Sequence, residues 1–214
     1  VFHSKSAEAI SAGMKYLLYS MAGAFAGLIQ NTSVKSLRAD DDILVYNKSN
    51  VGSGVTFDGL EWTAGMKVFL GGVAGVASDV NMESISMVAK IQDSSDVTSS
   101  AIGGLAGLGI VGQFKAAADT QIKIKDINFF RKNERTYTKI MGGKAMGGFY
   151  GQVALFKNTY DDKKISKIWI EKSSFEGSVF HANGVDSIFA GGHTKIEVQN
   201  LNFYFFIKTN FITR

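Results

Sequence analysis

Two runs of carboxylates are the residues most able to do chemistry: Asp40-Asp41-Asp42 and Asp161-Asp162. Paired acids can bind calcium, or divide acid and base work on a glycosidic bond. Neither run belongs to a calcium-loop pattern such as DxDxDG, and spacing fixes no lysine or arginine beside 40–42. A solvated loop at a strand end is the preferred reading. The three histidines, His3, His181 and His193, have no second ligand at metal-binding spacing, and the chain has no cysteine. Gly52-Ser53-Gly54 falls short of a GxSxG nucleophile turn. The glycine-rich blocks contain neither GxxxxGK[ST] nor a GxGxxG that opens a helix. No residue is therefore assigned as catalytic, cofactor-binding or metal-ligating, and no cofactor is expected. A carbohydrate-active enzyme would need acids such as Asp119, Asp126, Asp161 and Asp162 to converge with a lysine, arginine or histidine on one face.

Binding is the other chemistry to weigh. Net charge is +4, and Lys123, Lys125, Arg131, Lys132, Arg135 and Lys139 form the densest basic stretch. No nucleic-acid motif accompanies it, so a solvated strand-and-loop face is expected and nucleic acid is not expected as a partner. Phe129, Trp169 and Phe203 fall on alternating strand positions, divided between core and outer face. An exposed aromatic stripe stacks on sugar faces, whereas most of these rings are expected to pack inside.

The elements that hold these residues are written as a repeat. Ala64–Gly75 reads AGMKVFLGGVAG, and residues 12–27 open with the same AGMK and end AGAFAG. Gly103–Gly107 is GGLAG, Gly147–Gly151 is GGFYG, and Ala190-Gly191-Gly192 is a worn fifth copy. After each block comes a polar turn and a pair of apolar positions three apart: Val34/Leu37, Met82/Ile85, Ile124/Ile127, Ile165/Ile168 and Val198/Leu201. Around them the sequence alternates apolar and polar, breaks step at Asp126, Lys167 or Asn200, and alternates again, as strands turning a corner would. Phe57–Ala64 and Phe175–Ala182 match as a further pair of segments. Repeats of this kind stack, each burying its apolar face on the next. Phe25, Val73, Leu105 and Phe149 should then form one interior column, and Leu37, Ile85, Ile127, Ile168 and Leu201 a second.

The 24 glycines and the absence of proline suit a body of tight turns and continuous hydrogen-bonded ladders. Ser6–Leu18 has the apolar spacing of a short helix that could cap an open sheet edge. The apolar run at 14–29 is not read as a signal peptide, because its opening recurs inside a repeat. Asn202–Phe211 is strongly aromatic and has no capping signal.

The GG-(apolar)-x-G block resembles the GLUG motif of large bacterial surface and secreted proteins, most closely at Gly103–Gly107, then Gly71–Gly75 and Gly147–Gly151. The layout is similar to the β-helical passenger regions of autotransporters and filamentous-haemagglutinin-type adhesins. The expected fold is all-β, a right-handed parallel β-helix (solenoid) with a short N-terminal capping helix. Residues 1–214 are expected to be a single domain from a longer protein, with a cap at 1–20, repeats at 21–207 and a tail at 208–214. The resemblance implies a non-enzymatic adhesin or passenger module, secreted or on the bacterial outer-membrane surface. It would bind host glycans, host proteins or sibling molecules and reach a membrane only through flanking domains. The alternatives are a β-helical polysaccharide lyase or hydrolase, and a purely structural spacer.

Overall fold

The computed structural model describes residues 20–48, 68–94, 100–111, 120–142, 145–155, 166–180, 185–187 and 190–194. All of their regular structure is β-strand. The first repeat supplies β1 (Ser20–Gly23), β2 (Ala26–Gln30), β3 (Ser33–Lys35) and β4 (Arg38–Asn47). The second supplies β5 (Val68–Gly71), β6 (Ala74–Ser78) and the long β7 (Asn81–Asp93). The third supplies β8 (Ser100–Gly103), β9 (Ala106–Val111), β10 (Thr120–Phe129) and β11 (Thr138–Met141). The fourth supplies β12 (Ala145–Gly147), β13 (Tyr150–Leu155), β14 (Ser166–Glu171), β15 (Ser174–Phe175) and β16 (Gly177–Phe180). A fifth leaves β17 (Val185–Ser187) and β18 (Ala190–Thr194).

These strands form three sheets, and every pairing between them is parallel. One sheet runs β1-β5-β8-β12-β17 and another β18-β13-β9-β6-β2. The third has the path β14-β10-β7-β11-β16, with β3 and β4 on the free side of β7 and β15 on β10. This third sheet is branched and curled about β7, which carries two shorter partners on each flank, β3 and β4 on one and β10 and β11 on the other. That overturns the expectation of a single right-handed β-helix. The described residues make an all-β body of three parallel sheets, one of them curled, with no regular single solenoid. The expected capping helix at 1–20, the Phe57–Ala64 segment and the aromatic 202–211 lie outside the described residues.

The glycine blocks explain themselves sterically. A methyl on Gly103 would lie 2.1 Å from the Ala106 carbonyl oxygen and 2.6 Å from the Gly151 nitrogen. On Gly104 it would lie 2.1 Å from the Gly148 oxygen and 2.9 Å from Phe129 Cζ. The chain turns there between two sheets with the next repeat's backbone pressed against it, and only hydrogen fits. Gly104 N–H donates to the Gly148 oxygen at 3.1 Å, and Gly72 N–H to the Gly104 oxygen at 2.8 Å. The core fills the space behind these turns. Val73, Leu105 and Phe149 are buried, and Leu105 N–H donates to the Phe149 oxygen at 2.8 Å. Phe149 meets Phe129 at 6.0 Å and Phe175 at 6.4 Å between ring centres. Fully burying one such side chain stabilises by roughly 1.5–3 kcal/mol. Phe25 keeps the backbone position of this column, donating to the Val73 oxygen at 3.0 Å, but is 61% exposed because it lies in the bend between the edge strands β1 and β2.

The second expected column holds for two steps and then slips. Ile85 and Ile127 are partners and buried, and Leu37 packs against the same core. Ile168, however, pairs with Ile122, and Ile170 with Ile124. The place beside Ile127 belongs to Ser173, whose Oγ accepts from Ile127 N–H at 3.3 Å. The fourth repeat bends at Lys172 (φ 47°), not at Lys167, which lies within β14. A serine follows that bend, so the apolar pair three apart is missing there. Asp126 bends as expected (φ 56°), and Ser36 (58°) and Ser84 (55°) stand at the same step. The worn fifth copy is also out of step. Tyr150 pairs with Ala190 and Gly147 with Ser187. Gly191 therefore falls at the last glycine of the block, and a serine occupies an earlier glycine's place.

Candidate binding face

Period-two alternation fixes what the curled sheet shows outward. Val34, Met82, Ile124 and Ile170 form an inward row of buried partners across β3, β7, β10 and β14. The residues on either side therefore face out. One outward row is Ser33, Asn81, Lys123 and Trp169, and the other is Lys35, Glu83, Lys125 and Glu171. Adjacent strands lie about 4.8 Å apart, so each row spans about 14 Å. Trp169 is 36% exposed and ends the first row.

The second row alternates in charge. Glu83 meets Lys35 at 3.1 Å and Lys125 at 3.6 Å. The hydrogen bond from Lys35, then its charge and that of Lys125, hold the Glu83 carboxyl below its ordinary value. These pairs are solvated and contribute little to stability, but they hold the side chains down and leave a flat polar surface beside the indole. Past the bend, Ser84 Oγ donates to Asp126 Oδ2 at 3.0 Å and Ser174 Oγ to Asn128 Oδ1 at 2.8 Å.

Within the curled sheet, the repeats differ in length beside Val88. Between Met87 and Ala89 the second repeat has only Val88, and between Phe175 and Gly177 the fourth has only Glu176. The first has a bulge at Asp40–Asp42, between Ala39 and Ile43. The third inserts 130–137 ahead of Thr138, whose Oγ1 accepts from Ala89 N–H at 3.3 Å. This longer loop is pinned by Asn133 Oδ1, which accepts from the Arg135 and Thr136 N–H groups at 2.9 and 2.8 Å. Lys132 Nζ reaches over the second repeat to donate to the Asp40 carbonyl at 3.1 Å, and Arg131 meets Glu176 at 3.9 Å.

The acid clusters separate accordingly. Asp40 accepts from Arg38 Nε at 2.8 and 3.1 Å, a partner two residues away that the expectation of an unpartnered run missed. Asp126 is bonded to Ser84, while Asp119 and Asp161-Asp162 lie outside the described residues. Among the described residues, no group of three or more His, Cys, Asp or Glu could hold a metal ion. His3, His181 and Gly52–Gly54 also lie outside them, and the backbone of His193 pairs with that of Val153. Of the aromatics named from sequence, Phe129 is buried, Trp169 is on the outer face, and Phe203 is not described. Of the basic stretch, Lys123 and Lys125 stand on the flat face, and Arg131, Lys132, Arg135 and Lys139 on or beside the loop. Comparison with protein-family models, with curated proteins and with solved structures finds no match.

Proposed function

We propose that this chain is a non-enzymatic binding module of a secreted or surface-exposed bacterial adhesin, and that the outer face of its curled sheet holds a glycan. The observation that carries the reading is the row Ser33, Asn81, Lys123, Trp169: a half-exposed indole flush with amide, hydroxyl and ammonium groups on a rigid sheet. Sugar rings offer an apolar face to an aromatic plane and hydroxyls to the polar groups around it. The in-register backbone fixes the spacing of those groups before a ligand arrives, which lowers the ordering cost of binding. The resemblance of the glycine blocks to the GLUG motif supports the exported, surface-borne setting.

The test is a panel of immobilised neutral oligosaccharides probed with wild type and Trp169→Ala. Wild type should retain at least one glycan, and the variant should lose about tenfold in affinity, or 1.4 kcal/mol. No retention by folded wild-type protein, equal binding by Trp169→Ala, or new reducing ends released from a polysaccharide would each overturn the reading.

A further inference from the structure

A second cluster of side chains lies beyond the bend, away from Trp169. Lys90 of β7 and Lys139 of β11 are in-register partners on adjacent strands. Ile91 and Ile140, next along each strand, are buried, so both lysines leave the sheet on its outer side. Like charges set side by side repel. Among the described residues neither lysine has an acidic partner within ion-pair distance. A third cation joins them. Lys139 Nζ lies 4.4 Å from the centre of the Tyr137 ring, and the Arg131 guanidinium lies 4.8 Å from the same centre. The clamped loop holds Arg131 and Tyr137 in place, and Arg131's one acidic neighbour among the described residues, Glu176, is at the long limit of an ion pair in open solvent. Two cations at one ring, with Lys90 set beside one of them by the backbone itself, make a pre-formed positive site in which the lysine pair has no acidic partner among the described residues.

We propose that Lys90, Lys139 and Arg131 bind an oxyanion, the sulfate ester or carboxylate of an acidic polysaccharide. A nucleic acid fits less well. Two cations already engage the Tyr137 ring, leaving it poorly placed to stack a base, and Asp40, Glu134 and Glu176 interrupt any long phosphate track. This site is separate from the Trp169 row and does not depend on it.

Binding is measured for a sulfated oligosaccharide, its desulfated counterpart and a DNA oligomer of equal charge, against wild type and the Lys90→Ser/Lys139→Ser double variant. Wild type should prefer the sulfated chain by about tenfold, with affinity falling as salt is raised towards 0.15 M. The double variant should lose about tenfold for that chain and depend less on salt, while neutral-glycan binding stays unchanged. Binding by the double variant within twofold of wild type overturns the proposal. So does DNA binding that equals the sulfated chain and falls with it, or failure of wild type to bind the sulfated chain at all. Unfolding of Lys90→Ser without ligand supplies a second readout: its urea midpoint at low salt should hold or rise, because a repulsion is removed. A lower midpoint would make Lys90 a structural residue and sink the assignment.

Discussion

Gly104→Ala tests whether the glycine blocks exist for packing. Its φ is not in the left-handed region, so the backbone accepts alanine and any cost is steric. The new methyl would stand 2.1 Å from the Gly148 oxygen, a backbone atom held in the neighbouring repeat, and 2.9 Å from Phe129 Cζ. Overpacking of this kind costs up to about 3 kcal/mol. Prising Gly148 away also weakens the 3.1 Å hydrogen bond from Gly104 N–H, a further loss of about 1 kcal/mol. Reduced freedom of the unfolded chain returns about 0.4–1 kcal/mol. The net expectation is a loss of about 3 kcal/mol. Gly27→Ala is the control. Its nearest atom, the Met21 carbonyl oxygen, is at 3.0 Å and the next at 3.8 Å, on an edge strand, so its cost should be about 1 kcal/mol or less. In urea unfolding, with a slope of about 1–3 kcal/mol per molar, Gly104→Ala should shift the midpoint by about a molar or more at unchanged slope. A midpoint for Gly104→Ala no lower than that of Gly27→Ala would refute the steric account and reopen a functional role for these turns.

Other perturbations should follow the same geometry. Ile127→Ala empties a fully buried position and should cost about 2–5 kcal/mol, whereas Leu28→Ala, at 50% exposure, should cost under about 1 kcal/mol in the same assay. Lys172→Gly should raise stability by up to about 1 kcal/mol by relieving a side chain held at φ 47°, while Asp126→Gly gains less because it loses the bond from Ser84. Glu83 is held below its ordinary value, so its contribution is present above the unfolded value near pH 4.3 and is lost as pH falls through the folded one. The difference in stability between wild type and Glu83→Gln should therefore shrink on acid titration. Burial pushes the Tyr150 hydroxyl upward, so its contribution is present below about pH 10 and is lost as pH rises above it. Tyr150→Phe should flatten that alkaline limb.

Local spacing carried some of this architecture and could not carry the rest. Glycine pairs mark where backbone meets backbone, and the run from Gln121 to Phe129 is an alternating strand broken at Asp126, so turns, strands and much of the interior were readable. Registers failed where a repeat replaced its apolar marker. Ser173 stands where an isoleucine would have aligned the fourth repeat, and Ser187 where a glycine would have aligned the fifth. The branched sheet was not legible because β7 continues through positions at which its neighbours are interrupted, a difference set by pairing and not by composition. The Lys90–Lys139 pair was hidden for a related reason. Its members are 49 residues apart and become neighbours only when Ile91 is set against Ile140. Trp169 stands out among the aromatics in the sequence, but only the β10–β14 register decides that it shares an outward row with Lys123.

The entry point for extra residues beside Val88 has a consequence for how the chain can vary. Pairing resumes beyond it whether the neighbouring repeat spends one residue or eight, so segment length there is uncoupled from the ladders on either side. Closing a longer flexible segment adds only about 0.6 kcal/mol per doubling. Segments of different length can therefore be exchanged at that position while the scaffold beneath stays the same, and a foreign segment grafted there would leave the flanking strand pairing in place.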